Sequence, residues 1–323
     1  MKLKQLEYLL ETYNHGLNMS EAARALNTTQ PGISNGIRRL ERELGVDLLT
    51  RKGKRLGVTP AGERIVMLAR EALQKVESIE RAAEEFLHED RGSLRIATTH
   101  TQARYVLPDH IKNFREKYPQ VSLHINQGTP AQLAELTLNG EVDFAIATEG
   151  FEYFTNLILA PCYTWNRSIV VPKGHLLTRI DKITLADVAR EPLVTYVFGF
   201  AGGSSVANAF AAEGLFANVT FTATDTDVIK KYVRLGVGIG IIASMAREER
   251  VDDDLEFIDA SHLFEPSVTH IGLRREVFLR SYMYEFIESF AEHLNRPLIE
   301  KVLTTTQRDE QDALLSGFEL PRK

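Results

Sequence analysis

The sequence predicts an α/β protein with a small helical head at one end. Three observations predict it. From Ser93 onward, short apolar strands alternate with helical stretches, the pattern of βαβ units. The first sixty residues instead show helical periodicity broken by turn and capping residues. Between the two runs a charged helix with a narrow apolar seam. The chain has 323 residues, enough for two or three domains.

Composition narrows the class. The chain is 44% hydrophobic and 25% charged, as in ordinary globular proteins. It has no run of about 18 apolar residues that would span a membrane. Met1-Lys2-Leu3-Lys4-Gln5 lacks the apolar core of a secretion signal. One cysteine, Cys162, excludes an internal disulfide framework and a cysteine zinc cluster. The expectation is a cytoplasmic protein with no membrane partner. The net charge of -6 hides an asymmetry. Residues 1–60 carry ten basic and six acidic side chains, a net of +4, which leaves -10 for the remainder. A basic head on an acidic body can bind phosphate locally.

Within the head, Leu3, Leu6, Leu10 and Tyr13 predict an amphipathic first helix, broken at Asn14-His15-Gly16. Asn18 caps a short second helix whose Ala22 and Ala23 let a neighbour approach closely. After a turn at Asn27-Thr28, Thr29 caps a third helix with Pro31 in its first turn. Ile33, Ile37, Leu40 and Leu44 form its buried face, and Gln30, Ser34, Asn35, Arg38 and Arg42 the other. Gln and Asn can bond adenine bidentately, and Arg guanine, on major-groove edges. Ser and Thr near the helix start suit phosphate. A single helix of this kind is more often a solvated face than a reader of DNA. Arg51-Lys52-Gly53-Lys54-Arg55 shifts that balance. It is a basic loop between Leu48-Leu49 and Leu56-Gly57-Val58, and reads as a hairpin wing set to meet phosphates. Thr59 and Pro60 then open a new helix, with Glu63 in its first turn. Gly36, inside the third helix, costs roughly 1 kcal/mol against Ala. Close approach to DNA or simple tolerance would each account for it.

The run SEAARALNTTQPGISNGIRRLERELGVDLLTRKGKRLGVTPAG closely resembles the head of the LysR-type transcriptional regulators. The small-residue second helix, the Thr-Gln-Pro opening, the Leu-Glu-x-Glu-Leu-Gly exit and the Thr-Pro-Ala-Gly after the wing stand in register. The resemblance implies an all-α winged helix-turn-helix head that reads double-stranded promoter DNA through Thr29, Gln30, Pro31, Ser34, Asn35, Arg38, Arg42, Arg51, Lys52 and Lys54. It implies a non-enzymatic regulator that meets RNA polymerase at activated promoters.

Ile65, Ala69, Ala72, Val76, Ile79, Ala83 and Phe86 alternate steps of four and three, a heptad seam flanked by charge. A helix packed on its own domain is the plainer reading, and a two-helix dimer fits a seam this narrow better. The resemblance supports the dimer, whose two heads would read two half-sites.

Leu94–Thr99, Val121–Ile125 and Val142–Ala147 read as strands of a parallel sheet, with helices at Leu107–Tyr118 and Pro130–Leu138. Near Pro161–Ser168 the chain leaves this sheet for a second one with strands at Ile169–Val171, Leu193–Tyr196 and Val219–Phe221. Val268–Leu273 and a helix over Phe278–His293 return to the first lobe. The result resembles a periplasmic binding protein, whose ligand lies between lobes at strand ends. The expected organisation is 1–59 for the head, 60–90 for the linker helix and hinge, and 91–323 for the effector-binding domain. Lobe I takes about 91–163 and 267–295, lobe II about 164–266, and a tail 296–323.

Thr99-His100-Thr101-Gln102 ends a strand and starts a helix, so its hydroxyls, amide and backbone N–H groups can hold an anion. Plain capping is about as good an account of two threonines there. Thr148-Glu149 ends another strand on the same cleft. Trp165 lies near the crossover, and Phe198 to Gly203 on the far lobe. Segments such as GSLRIATTHTQARYVLP, VDFAIATE and PCYTWNRSIVVP resemble, within that family, the activators of cysteine biosynthesis and their paralogue for sulfonate and taurine use. That likeness implies a homotetramer (a dimer of dimers) controlling sulfate assimilation. N-acetylserine is the implied effector, with sulfate or thiosulfate competing. It matches Thr99, Thr101, Gln102 and Thr148 to anion-binding positions, with Trp165, Phe200 and Ala201 beside them. This chain has Ala201-Gly202-Gly203 where the family has Thr-Gly-Arg, losing a hydroxyl and a cation.

Gly236-Val237-Gly238-Ile239-Gly240 follows a helix and leads into a strand, the reverse of a dinucleotide fingerprint, and reads as a tight turn with close packing. Cys162 reads as a small core residue, the nine histidines lack metal spacing, and Gln307–Lys323 reads as a polar tail. A solute-binding α/β protein whose head serves only assembly is the rival of another class. The N-terminus and the lack of an acid–base constellation weigh against transport and catalysis.

Overall fold

The computed structural model describes residues 1–323 except 53–54, 88–89, 198, 200–203 and 276; for 51–52, 55, 84–87 and 151–152 it describes the backbone alone. Two compact units result, Met1–Leu87 and His88–Lys323.

The first unit begins with α1 (Leu3–Asn14), α2 (Met19–Ala25) and α3 (Gln30–Leu44). Asn18 Oδ1 accepts from the amides of Ser20 and Glu21, and Thr29 Oγ1 from that of Gly32, so both cap readings hold. Gly45 ends α3 with φ 72°, a left-handed conformation that glycine takes without a Cβ penalty. The face of α1 differs from the sequence reading. Gln5, Leu6, Leu9 and Thr12 are buried, while Leu3 and Tyr13 are exposed. Thr12 is buried because its hydroxyl donates to Tyr8 O at 2.7 Å, which satisfies it inside the helix. Leu44, expected in the core, is also exposed.

β1 (Leu49–Lys52) and β2 (Arg55–Val58) pair antiparallel as the wing. Glu41 Oε1 accepts from the amides of Leu48 and Leu49 at 2.9 and 3.0 Å, tying the exit of α3 to the wing. Thr59 Oγ1 accepts from Gly62 N and donates to Asp47 O, opening α4 (Pro60–Leu87). Its 28 residues extend about 42 Å. The first turns of α4 pack on the head through Val66, Ala69 and Leu73. Ala69, read as part of the seam, is therefore already buried. Farther along, Ala72, Ile79 and Ala83 are exposed and Val76 is half-buried. Phe86 lies outside the described side chains.

The second unit holds two five-stranded sheets. Its elements are β3 (Gly92–Thr98), α5 (His100–Tyr105), α6 (Leu107–Lys117), β4 (Val121–Gln127), α7 (Pro130–Asn139), β5 (Phe144–Ala147), β6 (Leu157–Trp165), β7 (Arg167–Pro172), α8 (Leu185–Ala189), β8 (Leu193–Tyr196), α9 (Ser205–Ala212), β9 (Val219–Ala223), α10 (Thr226–Arg234), β10 (Ile239–Ala243), β11 (Leu255–Asp259), β12 (Ser267–Arg274), α11 (Ser281–Phe290), α12 (Arg296–Thr304) and α13 (Arg308–Leu314). The first sheet has the order β4-β3-β5-β12-β6 and the second β11-β7-β10-β8-β9. β3 runs parallel to β4 and β5, while β12 closes the first sheet antiparallel to β5 and β6. In the second, β8 is parallel to β9 and β10, and β7 antiparallel to β10 and β11.

The crossing between sheets is sharper than the sequence suggests. β6 stays in the first sheet through Trp165, and β7 joins the second at Arg167, so Asn166 alone separates them. The chain returns between Asp259 and Ser267, and Arg167 Nη1 donates to Ser267 Oγ at 2.9 Å across the two crossings. Pro108 opens α6 rather than kinking a longer helix. β11 has no counterpart in the sequence reading, since Leu255-Glu256-Phe257-Ile258-Asp259 directly follows an acidic run. The chain beyond 296 is also more than a polar tail: Ile299, Val302, Leu303 and Leu315 join the core of the first lobe. Gly236 has φ 73°, and a Cβ on Gly238 would lie 2.2 Å from Pro192 O, so both glycines serve the turn and its packing.

Candidate functional sites

On the head, α3 presents Gln30, Pro31, Asn35, Arg38 and Arg42 to solvent, while Ser34 is half-buried and Thr29 caps the helix. Glu41, Gly45 and Asp47 join Asn35, Arg38 and Arg42 around an open groove. Arg51 and Lys52 lie on β1, where the backbone alone is described; Lys54 lies outside the described residues. Gly36 faces inward. A Cβ there would stand 2.4 Å from Tyr8 Cδ2 of α1, so the glycine serves helix packing rather than approach to DNA.

In the second unit, β3, β5, β8 and β10 end at one cavity lined by Thr99, Thr101, Gln102, Thr148, Glu149, Trp165, Tyr196, Ala243 and Met245. Thr99, Thr101, Gln102, Thr148 and Trp165, five residues singled out from the sequence, are all buried there. Phe200 and Ala201 lie outside the described residues. The space is nearly closed, about 10 Å³ for the centre of a water molecule, which is the room one water needs. A larger guest requires the walls to part.

Thr99 Oγ1 makes no cap hydrogen bond, so capping does not account for this threonine. Thr101 Oγ1 lies 3.1 Å from Thr226 Oγ1 and 3.5 Å from Tyr196 OH, which are themselves 2.6 Å apart. This hydroxyl triad joins the first lobe to the second. Gln102 Oε1 accepts from Tyr163 OH, and its Nε2 faces Met245 Sδ at 3.8 Å. At the rim, Arg104 Nε pairs with Asp227 Oδ2 at 2.7 Å and its Nη2 with Glu248 Oε2 at 2.9 Å. Tyr105 OH donates to Asp227 Oδ1 at 2.6 Å. Behind the rim, the buried Lys230 ammonium donates to Asp252 Oδ2 and Ala246 O.

Glu149 is ion-paired with Arg167, a guanidinium only 3% exposed that also lies 4.8 Å from the centre of the Trp165 ring. Burial pushes the Glu149 carboxyl above its usual range, and Arg167 opposes that rise. Burial likewise raises the Tyr196 phenol, so it stays protonated as a hydrogen-bond donor. Arg167, Tyr196 and Thr226 were missed in the sequence. An arginine opening an otherwise apolar strand was the one local signal.

Residues 3–63 match the family described as bacterial regulatory helix-turn-helix protein, lysR family, and residues 87–295 match the LysR substrate binding domain. The chain is 49% identical over 324 residues to the HTH-type transcriptional regulator CysB of Haemophilus influenzae, covering 100% of both chains. It is 44% identical over 304 residues to the HTH-type transcriptional regulator SsuR of Burkholderia cenocepacia, covering 94% of this chain and 99% of that one. The crystal structure of the cofactor-binding domain of the Cbl transcriptional regulator superposes with a TM-score of 0.64 at 42% identity, over 67% of this chain and 95% of that domain.

Proposed function

The chain belongs to the LysR family of transcriptional regulators, and we propose that it controls sulfur-assimilation genes in response to a small organic anion. The observation that carries this reading is the union, in one chain, of an exposed polar and basic α3 with a buried cavity whose wall joins two lobes. α3 and the wing would bind double-stranded promoter DNA, Gln30, Asn35, Arg38 and Arg42 meeting base edges or phosphates. The exposed stretch of the α4 seam would pair with a second copy, and two such dimers would form the tetramer that meets RNA polymerase. A cytoplasmic location follows from access to the promoter.

In the cavity, Thr99, Thr101, Gln102 and Thr148 would hold the effector, with N-acetylserine as the candidate and sulfate or thiosulfate as competitors. The likeness to regulators named CysB and SsuR supports this choice. An effector engaging Thr101 competes with Thr226 and Tyr196 for the same hydroxyl. Its binding therefore changes how the lobes are joined, which would alter the packing of dimers and the bend of bound DNA.

The test is fluorescence anisotropy of labelled promoter DNA from a cysteine-biosynthesis gene, titrated with the protein with and without N-acetylserine at two salt concentrations. Specific, salt-sensitive binding that responds to N-acetylserine is the expected result. Specific binding that ignores it would move the effector to sulfate or a sulfonate. No binding at low salt would overturn promoter recognition.

A further inference from the structure

Three polar atoms at the cavity have no hydrogen-bond partner among the described residues: Thr99 Oγ1, Glu149 Oε2 and Trp165 Nε1. Thr99 is 5% exposed and Trp165 4%. Unpaired buried polar atoms are uncommon, and each calls for an explanation. Here three line one space, and their characters differ. The indole N–H only donates, an ionised carboxylate oxygen only accepts, and the hydroxyl does either.

Glu149 is held in place for this role. Arg167 binds its other oxygen, and Arg167 is itself fixed by Ser267 Oγ and by the face of the Trp165 indole. Burial raises this carboxyl and the Arg167 guanidinium opposes that rise, drawing it toward the ion, whose free oxygen then demands a donor. A hydrogen-free oxyanion carries acceptors alone. It would satisfy Trp165 and Thr99, but it would face Glu149 with lone pairs and like charge. A carboxylic acid bearing a neutral N–H or O–H a few bonds away answers all three atoms.

We propose that Glu149 is a specificity-determining residue, which selects an organic anion carrying a neutral hydrogen-bond donor over a hydrogen-free oxyanion. The proposal rests on the reading of this cavity as the effector site. The anionic end of the ligand lies toward Thr99 and Trp165, and its donor toward Glu149 Oε2. The preference comes from an unmet acceptor rather than from a cation, so it does not need the arginine that the family has where this sequence has Gly203.

Trp165 is the only tryptophan in the chain, so its fluorescence reports on this cavity alone. Full-length wild type, Glu149→Gln and Glu149→Asp are titrated with N-acetyl-L-serine and with sodium sulfate at constant ionic strength. In Glu149→Gln, N-acetylserine should bind about tenfold more weakly or worse, the loss of a charge-assisted hydrogen bond. Sulfate should bind as well as in wild type or better. Glu149→Asp keeps the charged acceptor and should keep wild type's preference between the two ligands, even with both affinities reduced. Equal changes for both ligands in Glu149→Gln, or none, would overturn the proposal while leaving the cavity as the effector site. If neither ligand altered wild-type fluorescence, the effector reading would fail and this proposal with it.

Discussion

Gly36 breaks the helix-forming habit of α3, and its reason lies in the neighbour rather than in DNA. Ala would improve helix propensity by about 1 kcal/mol. Its Cβ would also press into the Tyr8 ring, 2.4 Å from Cδ2, and overpacking of this kind costs about 1–3 kcal/mol. Gly36→Ala is therefore expected to lower the melting temperature of the head, and Tyr8→Ala in the same chain to recover part of the loss. Equal melting of Gly36→Ala and wild type would show that the packing cost against Tyr8 is no larger than the propensity gain. His270 supports a pH prediction. Burial holds its imidazole down from 6.5 to about 4. The folded form resists a proton that the unfolded chain accepts, so this contribution is complete above pH 6.5. It is lost as pH falls toward 4, by at most about 3 kcal/mol. His270→Gln should unfold with a shallower pH dependence between 6.5 and 4 than wild type, measured by urea titration at fixed pH values.

Local signals proved readable at the scale of the element, and contacts between lobes did not. Asn18, Thr29 and Thr59 announce helix starts because a cap depends only on residues two or three positions away. Thr101 could be placed in the turn of helix that follows β3 from sequence. That it meets Thr226, 125 residues on, could not, since that pairing depends on how two sheets face each other. β11 was missed for a related reason: its five residues show no clean alternation, and pairing with β7 defines the strand. Leu298 to Leu303 sit near the end of the chain, where apolar spacing alone did not distinguish a core helix from a tail. The rim pair between α5 and α10 belongs to the same unreadable class. Arg104 and Asp227 are 43% and 39% exposed, so their ion pair contributes under about 1 kcal/mol. Asp227→Asn keeps an acceptor for Tyr105 and removes the charge facing Arg104. Effector association and release, followed by stopped-flow Trp165 fluorescence, should both quicken by about two- to fivefold. Unchanged rates would mean that this ion pair does not help to hold the lobes together.

At the scale of the whole molecule, charge and the proposed dimer would act on the same quantity, the affinity for DNA. The first sixty residues carry +4 and the rest -10, which favours phosphate contacts through the head. One head offers few such contacts, whereas two heads on a shared linker bind as one unit through effective concentration. Ala72, Ile79 and Ala83 stand exposed on α4, and Ile79 is 69% exposed. A glutamate at Ile79 should spoil a helix–helix seam without disturbing the protomer, because no core residue is replaced. Ile79→Glu is expected to sediment as a smaller species. Its DNA affinity should fall by at least about tenfold, and the slope of log affinity against log salt should drop to roughly half, since each bound protein then displaces half as many counterions. Effector binding at Trp165 should persist, because the cavity is built within one protomer. A variant that sediments as wild type would overturn the proposed pairing through this seam. A smaller species with an undiminished salt slope would mean that a single head supplies all the phosphate contacts.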